Sequence, residues 1–356
     1  MSENKAPLRR AEPCGDGFET KSSKLVVRAK IIRAIREFFW SRGFIETDTP
    51  CMVRCPGMEP HLNPFKTRLK EERGMECDMY LITSPEYAMK RLLAAGWKKI
   101  FQITRSFRNG EIGPLHNPEF AILEWYRAGA DYNDIMKDTQ DLVCYIAKKV
   151  FGRLRFNYAG REINLALPWQ ILTTQEAFEH AGISRHIFEN EKLLRAAAIR
   201  KGYKITKNMD YSDVFFLIFL NEIERHLGAP KPTILKDYPI SMAALARAKA
   251  DNPKYAERFE LYIAGLELAN AFSELTDFRE QRARLISEQK LRRKLNKEIY
   301  PIDDKFISAL EYGMPRSGGI ALGIDRLVMF FTGAEKIDEI MFFSPRRSPE
   351  AGTGAI

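Results

Sequence analysis

The chain has 356 residues, 45% hydrophobic and 29% charged, the proportions of a soluble globular protein with room for one large domain or two smaller ones. A net charge of +9, from 56 basic and 47 acidic residues, points to an anionic ligand or partner: nucleic acid, nucleotide or an acidic protein. The longest apolar run, VFFLIFL at 214–220, is too short to cross a bilayer, the polar N-terminus is no secretory signal, and five cysteines in so long a chain suit a reducing cytoplasm.

Residues 1–24 read as a mobile leader. From Leu25 onward Ile31, Ile32, Ile35, Phe38 and Phe39 recur at helical spacing, with Gly43 able to end the helix. FIETDTP predicts a short strand stopped by Pro50. TSPEYAMKRLLAAG predicts a second helix with Ser84 as cap, Pro85 in the first turn and Gly96 at the end. KKIFQITRSFR alternates like a strand, and amphipathic helices follow near 132–150 and 212–227. Next come a strand–turn–strand (RFELYIAGLELANAFSEL), an exposed helix (DFREQRARLISEQKLRRKLNKEI) and a glycine-rich strand leading into a helix (GGIALGIDRLVMFFTG). Irregular alternation with hairpin-like pairs predicts an α+β domain on an antiparallel sheet.

There is no G-x-x-x-x-G-K-[ST] loop, and GGIALGIDR lacks the G-x-G-x-x-G order, so side chains must hold any nucleotide phosphates. Arg108 and Arg326, each beside a glycine-containing turn, have the planar fork for that work; the alternative is that each pairs with a nearby acid. Glu260, Glu267 and Glu274 are spaced by seven in an apolar segment. An odd spacing puts neighbours on opposite faces of a flat strand, so a hairpin or bulge must intervene if they are to converge. Buried carboxylates need cations: Mg²⁺ bridging phosphates would suit one pair, and a substrate ammonium the remaining acid. Three exposed strand ends are the alternative. Cys51, Cys55 and Cys77 lack the second pair or histidine of a metal site and read as reduced thiols.

RGFIETDTP resembles motif 1 of the class II aminoacyl-tRNA synthetases, FRNGEIGPLHNPEF motif 2 and GIALGIDR motif 3. TSPEYAMKRLL, HNPEFAILEWY and GLELANAFSEL resemble the lysyl branch, placing a catalytic domain over 25–347. Ahead of motif 1 there is only the polar leader, where lysyl-tRNA synthetases carry an anticodon-binding OB-fold. That combination resembles the elongation factor P (R)-β-lysine ligase family, a paralogue of the lysyl enzymes.

The resemblance implies cytoplasmic, ATP- and Mg²⁺-dependent activation of (R)-β-lysine or lysine as an adenylate. Transfer to a lysine side chain of elongation factor P would follow. It also implies a homodimer built on motif 1, with no membrane association and no tRNA substrate. By the same resemblance Arg108 faces the α-phosphate, and Arg326 stacks on adenine and reaches the γ-phosphate. Phe120 covers the other face of the ring, Asn117 contacts adenine, and His116 lies near the terminal phosphates. Leu268 and Gly323 line the nucleotide pocket, while Glu260 and Glu267 hold the metal. Ser84, Pro85 and Glu86 receive the amino acid; Glu124, Tyr126 and Glu274 surround its ammonium groups; Asn270 and Phe272 complete the wall.

Motif 2 departs from R-x-E, reading Arg108-Asn109-Gly110 with Glu111 one place later. Either Glu111 shifts in or the backbone around Gly110 reads the base. Ala321, where lysyl-tRNA synthetases generally have glycine, adds a methyl that can discriminate between lysine isomers by roughly 1–3 kcal/mol. Ala271 is expected to crowd the same region. Two alternatives remain: a lysyl-tRNA synthetase lacking its OB-fold that still charges tRNA, and a catalytically silent regulatory paralogue.

Overall fold

Helix α1 (Asp16–Ser41) buries Ile31, Ile35, Phe38 and Phe39 of the five positions whose spacing predicts it, together with Ala34, while Ile32 is only partly buried, and Gly43 beyond it takes the left-handed φ of +73°. The computed structural model describes residues 16–72 and 74–343. The leader expected over 1–24 is corrected in its second part. The helix starts at Asp16, Lys24 pairs with Glu339, and Arg28 donates to Asp325 at 2.5 Å. The rest of that expectation, residues 1–15, lies outside the described residues.

Eight strands form the main sheet: β1 (Ile45–Glu46), β2 (Lys99–Phe107), β3 (Glu119–Ala128), β4 (Gln170–Thr173), β5 (Thr233–Pro239), β6 (Tyr255–Ile263), β7 (Leu266–Ser273) and β8 (Ser317–Gly323). Their order is β1-β2-β3-β8-β7-β6-β5-β4. The two outermost joins are parallel and the rest antiparallel, the α+β arrangement expected. The β6–β7 hairpin turns on Ala264 (φ +55°) and Gly265 (φ +82°), the left-handed pair that matches strand twist in a tight turn.

Side chains alternate across this sheet. Leu123, Trp125, Ala269, Ala271, Ile320 and Leu322 join the core under α1, α3 (Tyr132–Phe151) and α5 (Ile324–Thr332). On the opposite face the register aligns Gln102, Glu124, Ala321, Asn270 and Glu260 in one row, and Ile100, Tyr126, Gly319, Phe272 and Arg258 in the next. Helices α2 (Glu86–Ala94) and α4 (Phe278–Lys294), with the helix Asp304–Gly313, roof one end of that face by packing Met89, Leu93, Leu285 and Phe306 with Ile100 and Tyr126. The stretch from 155 to 250, little informative as sequence, builds a second apolar cluster. There Phe178, Leu194, Phe215 and Phe219 pack with Leu235 of β5 and Tyr262 of β6.

Candidate active site

The roofed end of the open face is lined with acids. Ser84, just before α2, donates from Oγ to Glu124 Oε1 at 2.5 Å and accepts the Glu86 N–H at 3.1 Å, so one hydroxyl ties the helix entrance to a carboxylate, although Pro85 and not the expected Ser84 is the N-cap. Pro85 opens the helix, its carbonyl accepting the Met89 N–H. The Tyr126 hydroxyl donates to Glu124 Oε2 at 2.9 Å. Glu274, 2% exposed, lies over Gly319, where a Cβ would come within 2.3 Å of both its Oε1 and the Tyr126 ring. Only glycine fits there.

One neighbour was not foreseen. Lys90, fully buried one turn into α2, places its ammonium 2.6 Å from Glu274 Oε2 and also against Glu86. A cation of the chain itself thus already meets two of the acids expected to receive substrate. Glu59 and Glu288 join the cluster from a loop and from α4. Burial and the neighbouring Glu86 push the Glu124 carboxyl up to about 8, and burial with Glu59 pushes Glu288 up to about 8. Burial also raises Glu274, against the pull of Lys90. Lys90 is bonded to Glu86 and Glu274, and Glu59, Glu124 and Glu288 add three more acids nearby, so the pocket is rich in carboxyls relative to cations.

This has a measurable sign. Acids whose folded values lie above their unfolded ones stabilise the fold at low pH, and that contribution is lost as pH rises through the folded value. The ligand-free protein should therefore lose melting temperature steadily from about pH 5 to about pH 8. Calorimetry across that range should show a flatter profile for the double variant Glu124→Gln/Glu288→Gln.

The other end of the face suits a polyphosphate. The Arg108 guanidinium lies 5.0 Å from the Phe120 ring centroid, its Nε is buried without a partner, and its Nη1 is 3.9 Å from Glu111. Glu111 thus turns toward Arg108, while Gly110 takes φ +88° and the Asn109 N–H donates to the Asn63 carbonyl at 2.7 Å. Arg326, at the start of α5, donates to the Glu267 carbonyl at 2.8 Å and has Nη2 2.5 Å from His116 Nε2. Burial and Arg326 lower the His116 pKa, favouring a neutral ring that accepts from the guanidinium. Asn117 donates to the Glu119 carbonyl at 2.6 Å and leaves Oδ1 buried without a partner. Arg108 Nε and Asn117 Oδ1 are orphaned polar atoms of the kind a bound ligand satisfies.

Several expectations are corrected. The seven-residue spacing does pass through both a bulge, between Leu261 and Tyr262, and the hairpin, but the three acids divide into two groups. Glu267 lies by Arg326, at 3.5 Å, whereas Glu274 sits with Lys90. Glu260, only 6% exposed, accepts from Arg258 at 2.6 Å, from Tyr262 at 2.6 Å and from Tyr238. Both its oxygens are thus engaged within the protein, which leaves Glu267 as the acid open to a metal, and burial with the like charge of Glu260 raises the Glu267 carboxyl. Glu224 approaches them instead, pushed up to about 7 by burial and by Glu267 and Glu260. Leu268 points into the core and offers the nucleotide side only its carbonyl, 3.8 Å from where a Gly323 Cβ would stand. Ala271 faces the core, whereas Ala321, between Glu124 and Asn270, faces the site.

Cys51, Cys55, Cys77 and Cys144 are free thiols. Among the described residues no group of three or more His, Cys, Asp or Glu is arranged to hold a metal, and no helix is long and apolar enough to cross a membrane. A single carboxylate, Glu267, still suits Mg²⁺, which uses few protein ligands and completes its shell with phosphate oxygens and water.

An antiparallel sheet carrying one arginine on a strand–turn–strand, a second at the head of a glycine-approached helix and an acid-lined pocket beside the pair defines a class. Residues 18–347 match the family model of class II tRNA synthetases (D, K and N), and the chain belongs to that family. Among individual relatives, it is 40% identical to the elongation factor P–(R)-β-lysine ligase of Hamiltonella defensa, over 92% of this chain and 96% of that protein. It is 38% identical to the lysine–tRNA ligase of Carboxydothermus hydrogenoformans and 39% identical to that of Moorella thermoacetica, over 89% and 91% of this chain. The chain spans 64% and 65% of the length of those two ligases.

Proposed function

We propose that this chain is an ATP-dependent, AMP-forming ligase. It would activate (R)-β-lysine or lysine and transfer it to a lysine side chain of elongation factor P. The observation that carries this reading is the acid-rich, cation-deficient pocket of Glu59, Glu86, Glu124, Glu274 and Glu288, sited beside a pair of arginines. A diamino acid supplies the missing charge, because a buried carboxylate without a cation is costly. The near-full-length match to a relative of that name supports the acceptor.

In the first half-reaction the amino acid carboxylate attacks the α-phosphorus and pyrophosphate leaves. Arg108 offers fixed positive charge where the pentacoordinate phosphate gathers negative charge, and Arg326, held by Glu267 and His116, serves the far phosphates and the base. Bound Mg²⁺, taken up through Glu267, would neutralise phosphate charge. In the second, a lysine ε-amine of the acceptor attacks the activated carbonyl, an amide forms and AMP departs. Exposed Trp40, at the end of α1, and Ile45, in the motif 1 segment that follows, support a homodimer.

Incubation with ATP and labelled (R)-β-lysine or α-lysine, offering elongation factor P and tRNA in parallel, tests the assignment. Label is expected on elongation factor P. Label on tRNA alone would make the chain a lysine–tRNA ligase, and no amino-acid-dependent ATP–pyrophosphate exchange would favour a silent regulatory paralogue.

A further inference from the structure

Glu59 belongs to none of the three motifs, yet it reaches the amino-acid pocket. Its loop is fixed from two sides. Arg292 of α4, 1% exposed, donates to the carbonyls of Glu59 at 3.0 Å and Leu62 at 2.8 Å, and the Asn63 carbonyl takes the Asn109 N–H of the motif 2 turn. The side chain folds back over Gly57, where a Cβ would stand 2.3 Å from Glu59 Oε2 and 3.0 Å from Thr83 Oγ1. The carboxylate therefore lies along Thr83–Ser84–Glu86 in a shared cleft. Its Oε2 is buried and has no hydrogen-bond partner, as is Glu274 Oε1 deeper in the pocket.

Anchoring distinguishes Glu59 from the other acids. Glu124 is held by Ser84 and Tyr126, and Glu274 by Lys90. The Glu59 loop is tied to the turn that carries Arg108, the end at which the substrate carboxylate must meet the α-phosphate. Burial and Glu86 push the Glu59 carboxyl up, while the nearby Arg108 and Lys90 cations oppose them. A buried carboxylate oxygen left without a partner beside the reacting end has a natural ligand in an ammonium one or two carbons from that end.

We propose that Glu59 is a further specificity-determining residue: it receives the amino group nearest the substrate carboxylate, while Glu124 and Glu274 serve the distal one. This rests on the diamino-acid reading above. It makes Glu59 the residue that senses whether the proximal amine is at the α or β carbon.

The test uses ATP–pyrophosphate exchange by the full chain with (R)-β-lysine and α-lysine, and inhibition of that exchange by 6-aminohexanoic acid, which keeps only the distal amine. Glu59→Gln, nearly isosteric, should raise KM for the lysine isomers about 10–100-fold, the effect of losing one charge-assisted hydrogen bond. KM for ATP and inhibition by 6-aminohexanoic acid should stay at wild-type values. Glu59→Asp, which keeps the charge, should restore part of the loss and alter the ratio between isomers. An unchanged lysine KM in Glu59→Gln, or equal weakening of 6-aminohexanoic acid, overturns the assignment while the activation reading stands. Absence of exchange by the wild type with every diamino acid overturns both.

Discussion

Arg326→Ala is expected to reduce amino-acid-dependent ATP–pyrophosphate exchange by on the order of 10²–10³-fold, the range for removing one preorganised charged donor at a reacting centre. The side chain is 22% exposed and its hydrogen bonds go to the Glu267 carbonyl and His116, both within the nucleotide end itself. Melting temperature should therefore change little, since substitutions away from the core usually stay within about 0.5 kcal/mol. Arg326→Lys keeps the charge but loses the planar fork, and should fall between the two. Wild-type exchange in the alanine variant would contradict the assigned pocket.

Lys90→Met should have its largest effect on stability. Removing the ammonium leaves Glu86 and Glu274 with an uncompensated buried charge, a loss of roughly 3–5 kcal/mol at neutral pH. The deficit should shrink as pH falls, because Glu274, already raised by burial, protonates more readily without its partner. Saturating diamino acid should raise the variant's melting temperature more than the wild type's, since substrate then supplies the missing cation. Calorimetry at pH 5.5 and pH 8, with and without lysine, measures all three quantities. A deficit of equal size at both pH values would mean that packing, not charge, is what Lys90 contributes.

The parts of this site that were legible in the sequence are those carried by local pattern. Arg108 and Arg326 stand beside glycine-containing turns, and alternation in β3, β7 and β8 separates Glu124, Asn270 and Ala321 from the core residues between them. The parts that were not depend on contacts between distant segments. Lys90 looks like any lysine of an amphipathic helix, although its i,i+4 spacing from Glu86 was a usable signal. Glu59, Glu224 and Glu288 come from a loop, a short turn and a helix with no motif, and only the tertiary fold brings them to the other acids. Glu260 was misread for a related reason: spacing relates it to Glu267 but says nothing of Arg258, Tyr238 and Tyr262, which occupy its oxygens.

The row Gln102–Glu124–Ala321–Asn270–Glu260 runs across paired strands, so its backbone spacing is set by ladder hydrogen bonds. Such a floor has no hinge with which to widen around a misshapen guest. Repurposing the enzyme for a different amino acid therefore becomes a problem of exchanging one or two side chains. A mutant library confined to positions 270 and 321 is the economical place to begin.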